Sequence, residues 1–323
     1  IKVGPNKLQA VLAYNLSQLL PQPLSVSFFA ISGAEAVEGA MKLCEKIKGK
    51  TEGKFITFKG SYHGKTHGAM SVTKSEGISE KFLMGIPNEN IIEVEYGNIN
   101  ELEDALNSSS NEIIATIIEP IQGQGVVVPP TNYLKQVVEI SHKYDTLVIF
   151  DEVKTGMGRT GEFCCFQHYG AVPDVVTLSK ALGGGQCAIS AFVTKKELFK
   201  KAYGRRKDVG LHSSTFSGLG KSCAVAIQTL NVLINDGVIN NCKDQGDYFF
   251  RELVKLKNKY PKIISEIRGK GLLLGIVFNI DQHILTKITK LLGSEHKKTF
   301  DKVCFQKLLY FNTPYVCTKL GKS

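Results

Sequence analysis

Long apolar runs, cysteine pairs and arginine clusters are all scarce in this chain of 323 residues, and each scarcity excludes a class of protein. No apolar segment approaches the ~18–20 residues that span a bilayer, so we expect no membrane partner. Only five of the 40 basic residues are arginine and the lysines are scattered, so the net charge of +10 indicates a solvated surface and no nucleic-acid partner. The eight cysteines form no Cys-x-x-Cys pair and no Cys/His ladder, which favours reduced thiols and no metal site.

The composition and the first residues limit the class of protein further. Hydrophobic residues make up 43% of the chain and charged residues 22%, which excludes a disordered or collagen-like protein. The chain begins at Ile1 with neither an initiator methionine nor the apolar core of a signal peptide, so we expect it to be a fragment of a longer protein. The expected location is the cytoplasm, or the mitochondrion if a transit peptide precedes residue 1.

Short apolar runs alternate with amphipathic stretches along the chain, a pattern typical of an α/β fold with a mostly parallel sheet. The length and the change in character after Lys262 predict a large domain over residues 1–260 and part of a smaller C-terminal α+β domain over residues 261–323. A strand at Arg268–Phe278 is expected to open the smaller domain. The other predicted strands are Lys54–Phe58, Ile113–Ile118, Leu147–Phe150, Val175–Leu178 and Ala188–Thr194. The predicted helices are Glu35–Lys46, Tyr133–Tyr144, Ser222–Leu233 and Tyr248–Lys259.

Two of the predicted strands are followed by a charged residue. Asp151 comes directly after Leu147–Phe150, and Lys180 follows Val175–Leu178 and precedes Gly183–Gly185. Ligands of open α/β sheets bind at the carboxyl ends of strands, which makes both residues candidates for a functional site. A lysine at the end of a buried strand is costly unless it is paired, neutral or covalently used, and glycines let backbone approach a ligand closely. Taken singly, Asp151 also fits a helix cap or a turn, and Lys180 also fits a surface turn.

Together with the glycine-rich segment between them, these two strand ends resemble the class III, or ω-amino acid, aminotransferases that use pyridoxal 5′-phosphate. The similarity is closest to putrescine, acetylornithine and ornithine aminotransferases. It implies a type I fold with helices on both faces of the sheet, a cofactor-binding large domain whose N-terminal arm is missing here, and a homodimer that shares its active sites. The matching segments are Ile31–Glu38, Ser61–Thr66, Ile118–Gly123, Ile149–Gly161, Pro173–Asp174, Leu178–Gly185, His212–Gly218 and Arg268–Gly271.

The resemblance implies a role for each matching residue at the cofactor. Lys180 matches the lysine that forms the Schiff base and then moves protons as a general base and acid. Asp151 matches the acid that holds the pyridine nitrogen protonated, and Tyr62 and Val153 match the residues that cover the two ring faces. The implied phosphate ligands are Ser32, Gly33 and Ala34, before a predicted helix, and Ser214 and Thr215, which come from the second subunit.

Three further residues are implied near the cofactor ring, namely His63, Glu119 and Lys154. His63 also fits a packing role, and Glu119 also fits a structural acid at a strand end. Lys154 stands where the family usually has glutamine near the phenolic oxygen, where its charge would favour the deprotonated Schiff base; the alternative is that Lys154 swings into solvent. Lys65 stands where many members have an arginine that grips a carboxylate, which favours a diamine or another non-α amine as donor.

The sequence therefore predicts an aminotransferase that moves an amino group from a terminal amine, either a diamine or an ω-amino acid, to a 2-oxo acid. Two alternatives stay open. One is a lyase, mutase or decarboxylase of the same fold, which would use the same lysine chemistry. The other is a module of a larger protein that binds the cofactor without turnover. Product analysis separates them, because a transaminase needs an oxo acid as acceptor.

Overall fold

A computed structural model describes residues 6–49, 53–75, 82–109, 111–208 and 210–279 of the chain. Strands and helices alternate through most of this part. The helices are α1 (Lys7–Leu19), α2 (Gly33–Lys48), α3 (His67–Ser71), α4 (Ile99–Ser108), α5 (Tyr133–Lys143), α6 (Lys196–Tyr203), α7 (Gly220–Asn235) and α8 (Val238–Lys259). The strands are β1 (Leu24–Ala30), β2 (Lys54–Phe58), β3 (Ile91–Val94), β4 (Ile113–Ile118), β5 (Leu147–Asp151), β6 (Val175–Leu178), β7 (Ser190–Lys195), β8 (Ile264–Lys270) and β9 (Leu273–Phe278).

The first seven strands form one sheet in the order β1-β7-β6-β5-β4-β2-β3. All neighbours from β6 to β3 pair in parallel, whereas β7 runs antiparallel to both β6 and β1. The inner strand β4 consists of isoleucine, alanine and threonine and is buried at every residue, as parallel strands covered on both faces are. These pairings confirm the predicted α/β fold with a mostly parallel sheet.

Alternate side chains of the central strands enter two separate apolar layers, because successive residues of a strand point to opposite faces. On β5, Val148 and Phe150 lie in the layer that also holds buried leucines of α1, α4, α5 and α7. Ile149, between them, lies in the layer formed with α2 and α6. Helices therefore cover both faces of the sheet, as predicted.

The structure confirms some of the predicted element bounds and overturns one prediction. The predicted bounds agree with those of β2, β4 and β6. The single strand predicted at Arg268–Phe278 is wrong, because the chain turns within this segment and forms the two paired strands β8 and β9. At the turn, Gly271 adopts a left-handed conformation with φ of 53°, which glycine takes without strain. The next amide, that of Leu272, donates to the carbonyl of Arg159 at 3.1 Å, so the turn is held from outside the hairpin.

The described residues divide into two compact units. One comprises the described residues up to Glu252 together with Arg268–Gly275, and the other comprises Leu253–Ile267 and those from Ile276 on. The predicted domain division after residue 260 stays a prediction, and residues 280–323 of the predicted smaller domain lie outside the described residues. No single described helix is long and apolar enough to cross a membrane; α7 and α8, bent by 57°, meet that length and composition only as a pair.

A buried carboxylate, that of Asp174, joins three elements of the first unit. Its Oδ1 accepts a hydrogen bond from Lys195 Nζ at 2.7 Å. Its Oδ2 lies 2.8 Å from His142 Nε2 and accepts from the Val148 amide at 2.8 Å. Burial alone would raise the pKa of Asp174, but the hydrogen bonds and charges of His142 and Lys195 lower that pKa below its ordinary value. The ionised form is therefore the one that the fold stabilises.

We expect Asp174→Ala to lower the free energy of unfolding by about 2–4 kcal/mol near neutral pH, because Lys195 and the Val148 amide lose their partner. A carboxyl whose pKa is lowered by folding stabilises the fold above its unfolded pKa of about 3.9 and loses this effect as the pH falls through the folded pKa. The difference from wild type should therefore shrink below about pH 4, which denaturant titrations at several pH values measure.

The control for this prediction is Lys135→Ala, which removes an exposed pair with Glu139 at 3.8 Å. It should change the free energy of unfolding by less than about 0.5 kcal/mol. A destabilisation by Asp174→Ala that grows toward low pH would contradict the assignment of the ionised form.

Candidate active site

A cavity of about 390 Å³ lies at the carboxyl ends of the four adjacent parallel strands β2, β4, β5 and β6. This is the edge at which open α/β sheets bind their ligands. Nine of the residues predicted for the cofactor line the cavity, whereas Ser32, Ser214 and Thr215 do not. The full lining is Gly33, Ala34, Tyr62, His63, Gly64, Lys65, Glu119, Gly123, Gln124, Asp151, Val153, Lys154, Ser179 and Lys180.

Asp151 is fixed in the cavity by hydrogen bonds to both of its carboxyl oxygens. Its Oδ1 accepts from the Val153 amide and from Thr177 Oγ1, both at 3.0 Å. Its Oδ2 lies 2.8 Å from His63 Nδ1. The side chain is only 3% exposed, so the carboxylate is presented to the cavity in one orientation. A fixed, buried anion of this kind can hold a proton on a basic ring nitrogen of a ligand.

The ring of His63 adds a second sign that the cavity takes a polar ligand. Its Nε2 is buried and has no hydrogen-bond partner among the described residues. Buried polar atoms nearly always have a partner, so an unpaired ring nitrogen beside a cavity fits a site completed by a ligand.

Lys180 enters the same cavity from the segment after β6. Its φ is 47°, in the left-handed region, where residues other than glycine are uncommon and strained. Such strain is concentrated at functional sites, and here it turns the chain directly after the end of the strand. The amide of Leu182 donates to the Ser179 carbonyl at 3.0 Å, which holds this turn. The Lys180 side chain is exposed within the open cavity.

The N-terminus of α2 forms another wall of the cavity. Ser32 caps the helix: its Oγ accepts from the Glu35 amide at 3.2 Å, and the Ser32 amide donates to Glu35 Oε2 at 3.1 Å. The amide of Ser32 is therefore used within the cap, and Gly33 and Ala34 line the cavity. A Cβ on Gly33 would lie 2.8 Å from Val153 Cγ1, so only glycine fits this close approach. Free amides at a helix N-terminus bind anions such as phosphate.

Glu119 connects the segments that follow β2 and β4. Its Oε2 accepts from the Tyr62 amide and its Oε1 accepts from the Gly123 amide, both at 2.9 Å. Burial raises the pKa of Glu119 to about 7, with His63 opposing this shift and Asp151 adding to it. The contacts place Glu119 as the acid that positions Tyr62 in the cavity wall.

Lys154 remains at the cavity wall and does not extend into solvent. Its Nζ donates to the carbonyl of Gly123, and the side chain is half-buried. Burial lowers the pKa of Lys154, and the charge of Lys180 lowers it further. The expected alternative, a lysine directed into solvent, does not match this geometry.

The predicted phosphate ligands Ser214 and Thr215 do not line this chain's own cavity. The Ser214 hydroxyl donates to Glu35 Oε1 at 3.5 Å, and Thr215 is exposed. This placement is compatible with a contribution to another subunit's site.

The sequence interpretation did not include Gly64, Gly123 and Ser179 among the site residues. Gly64 has φ of 137°, and a Cβ there would lie 2.7 Å from the Ala34 Cβ. A glycine directly after Tyr62 and His63 is the one signal that pointed to such a close approach. Gly123 and Ser179 lie within the matching segments Ile118–Gly123 and Leu178–Gly185, but their contacts with Lys154 and Gly33 join distant parts of the chain and could not be identified from either segment.

The comparisons with known proteins agree with this geometry. The model of the aminotransferase class-III family matches residues 1–319. An (S)-enantioselective omega-transaminase from Thermomicrobium roseum is 31% identical, with a TM-score of 0.80 over 86% of this chain and 66% of its own. A transaminase from the marine bacterium Virgibacillus is 27% identical, with a TM-score of 0.78 over 83% of this chain and 63% of its own. The omega transaminase from Pseudomonas jessenii in complex with PMP is 27% identical, with a TM-score of 0.78 over 85% and 66%.

The chain thus spans 63% to 66% of the length of these three structures. The similarity confirms the predicted type I fold of pyridoxal-phosphate transferases, and pyridoxal phosphate is the cofactor of this family. Because the family model covers nearly the whole sequence, the chain belongs to the class-III aminotransferase family.

Proposed function

We propose that this chain forms the cofactor site of an aminotransferase that moves an amino group from a terminal amine to a 2-oxo acid, with pyridoxal 5′-phosphate as cofactor. The observation that carries the proposal is the presence of Lys180 and a fixed, buried Asp151 in one cavity. An amine and an anion in this arrangement are what the chemistry of the cofactor needs from a protein. The finer assignment of the donor and the location in the cytoplasm stay predictions.

The residues of the cavity fit this cofactor. The amides of Gly33 and Ala34 at the start of α2 suit its phosphate, with the Ser32 hydroxyl as a further donor from the cap. Asp151 suits the ring nitrogen, and Tyr62 and Val153 suit the two ring faces. When bound, the cofactor supplies an electron sink that makes the carbon next to the amine acidic.

The remaining chemistry falls to side chains of this chain. Lys180 would hold the cofactor covalently through its amine; once the substrate amine displaces it, the freed lysine amine would take and return the proton at the substrate carbon. Val153, Thr177 and His63 orient Asp151, which would face the ring nitrogen. Glu119 holds the backbone on either side of the site through the Tyr62 and Gly123 amides.

The test of the proposed function begins with the visible absorption of the purified protein after incubation with pyridoxal phosphate. A yellow band that disappears on borohydride reduction indicates covalent uptake. Amine donors are then supplied with and without a 2-oxo acid, and the products are identified by mass spectrometry. Formation of an amino acid from the oxo acid supports transamination, whereas product formed without an oxo acid would point to a lyase or decarboxylase.

We further propose that the active protein is a homodimer in which Ser214 and Thr215 complete the phosphate site of the partner. Their exposed or half-buried position outside the chain's own cavity supports this assignment.

Mixing Lys180→Ala and Thr215→Ala proteins under conditions of subunit exchange should restore cofactor retention and turnover above the level of either variant alone. If each site takes Lys180 from one subunit and Thr215 from the other, one site of the heterodimer carries both substitutions and the other site carries neither. Turnover and the visible band report the result, and native mass spectrometry confirms that heterodimers form. Heterodimers without any gain in activity would contradict a shared site.

A further inference from the structure

We propose that Arg268 is a positioning residue of the candidate active site, because it holds a strained loop that forms part of the cavity wall. This wall loop comprises residues 122–127, of which Gly123 and Gln124 line the cavity. Arg268 itself does not line the cavity, although it lies in one of the segments that match the family. The expected effect on turnover rests on the proposed aminotransferase function, whereas the contacts that hold the loop do not.

The wall loop contains a residue in a strained conformation, Val126. Its φ is 53°, in the left-handed region, which is an outlier for a β-branched residue because the Cβ comes too close to the following carbonyl oxygen. The loop is closed around this residue by the Gln122 amide, which donates to the Val127 carbonyl at 3.0 Å. A strained conformation of this kind persists only where neighbouring contacts hold it.

The contacts that hold Val126 come from residues near the turn between β8 and β9. Arg268 donates two hydrogen bonds to the carbonyl of Gly125, from Nε at 3.0 Å and from Nη2 at 2.6 Å. This carbonyl belongs to the peptide bond before Val126, so the guanidinium fixes the orientation of that peptide. Val126 also packs against Leu273, and a Cβ on Gly275 would lie only 3.1 Å from the Val126 Cβ. The strained residue is therefore held by hydrogen bonds on its backbone and by close packing on its side chain.

The other end of the wall loop makes two contacts within the site, both through Gly123. Its amide donates to Glu119 Oε1 at 2.9 Å, and its carbonyl accepts from Lys154 Nζ. The second oxygen of Glu119 accepts from the Tyr62 amide, also at 2.9 Å. A shift of the wall loop would therefore disturb both Lys154 and the backbone at Tyr62. Arg268 acts on these residues through the loop and without touching them.

The two side chains that Gly123 binds are also coupled by charge. Burial lowers the pKa of Lys154 and the charge of Lys180 lowers it further, whereas Glu119 opposes both effects. Because Gly123 binds Lys154 and Glu119 at once, the position of the wall loop sets how these two groups face each other. The loop therefore fixes the charge of the cavity wall as well as its shape.

The first measurement is hydrogen–deuterium exchange of the full chain, with and without pyridoxal phosphate. Arg268→Met removes both hydrogen bonds to the loop and keeps a side chain of similar reach. It should raise exchange by about 10-fold or more in peptides covering residues 119–127 and 59–66, which contain the two amides that bind Glu119. A peptide covering β5 should stay within about 2-fold, because only the loop is released. The control Arg251→Met removes an exposed arginine of α8 and the same charge, and it should change neither region.

The second measurement tests the strain itself by combining Arg268→Met with either Val126→Gly or Val126→Ala. Both substitutions remove the packing of the valine side chain, but only glycine adopts a φ of 53° without strain. The glycine double variant should therefore show exchange within about 3-fold of Val126→Gly alone. The alanine double variant should stay about 10-fold above Val126→Ala alone, because its loop still needs the arginine.

Turnover should follow the same order once the protein is loaded with cofactor. Arg268→Met should lower kcat/KM for an accepted amine donor by about 10-fold or more, the effect of a misplaced site wall. Val126→Gly should restore most of this loss and Val126→Ala should not. A residue that stabilised only the fold as a whole would not show this selective rescue by glycine.

Three results would overturn the inference: unchanged exchange in a folded Arg268→Met variant, an increase spread over the whole chain, or equal rescue by glycine and alanine. If Arg268→Met does not fold, recovery of folded protein by Val126→Gly but not by Val126→Ala supports the inference, and the lack of such recovery overturns it. Failure of the wild type to take up pyridoxal phosphate would count against the proposed function, and the exchange comparison would still decide the role of Arg268.

Discussion

Lys180→Ala is expected to reduce turnover by about 10³-fold or more and to leave the fold intact. The substitution removes the amine that anchors the cofactor and moves the proton, and both steps depend on it in the proposed reaction. The side chain is exposed in an open cavity, so its truncation leaves no buried void that would destabilise the protein. Steady-state rates with saturating amine and 2-oxo acid measure the loss, and thermal unfolding tests the fold.

The matched control for this variant is Lys65→Ala, which removes another exposed lysine from the same cavity wall. We expect its turnover to stay within about 10-fold of wild type, because screened surface charges contribute little. Borohydride reduction followed by peptide mass spectrometry should find the cofactor on Lys180 in wild type and in the Lys65 variant. Near-wild-type turnover of Lys180→Ala would exclude Lys180 as the reactive amine.

The second large effect is expected from Asp151→Asn, which should reduce turnover by about 10²–10³-fold. Asparagine preserves the size of the side chain and can still accept from the Val153 amide and the Thr177 hydroxyl. It cannot supply the negative charge that holds a proton on the ring nitrogen, so the electron sink is weakened while the cavity keeps its shape. The variant should therefore still take up the cofactor, with a changed pH dependence of its visible spectrum.

The variant Thr177→Val tests how much the reaction depends on the orientation of Asp151, because it leaves the carboxylate in place. It removes one hydrogen bond of 3.0 Å to Asp151 Oδ1 and leaves the carboxylate itself in place. Its effect on turnover should be below about 10-fold, the cost of one hydrogen bond. Equal losses in Asp151→Asn and Thr177→Val would show that geometry, and not charge, is what the reaction requires from this position.

The sequence could predict the strands that carry the reactive groups, because each is a short apolar run with a charged residue within two positions of its end. The bounds of β2, β4 and β6 agree with the prediction for this reason. β1 escaped prediction: it pairs with β7, at the far end of the described sheet, and only Leu24, Phe29 and Ala30 of its residues are fully buried. Its identity as a strand depends on a partner more than a hundred residues away, which no local pattern reveals.

The candidate site shows the same limit. Asp151 and Lys180 could be identified from their places at strand ends, and the resemblance to a family supplied the remaining candidates. The environment of Lys154 could not be predicted, because its contact is to the carbonyl of Gly123, 31 residues away. Lys154 lies along the cavity wall in the space left because Gly123 has no Cβ. That space exists only in the folded backbone, so the sequence alone does not reveal it.

The cavity is assembled from five short segments, each from a different part of the chain, and four of them follow the ends of paired parallel strands. No segment by itself brings together an anion cradle, a reactive amine and a fixed acid. Tight binding of the cofactor therefore requires β2, β4, β5 and β6 to be paired, so the cofactor favours native molecules over unfolded ones. By mass action, a ligand at 100 times its dissociation constant adds about 2.7 kcal/mol to the free energy of unfolding. Protein loaded with the cofactor should therefore need more denaturant to unfold than the same protein without it, so that the cofactor acts as a structural stabiliser as well as a reagent.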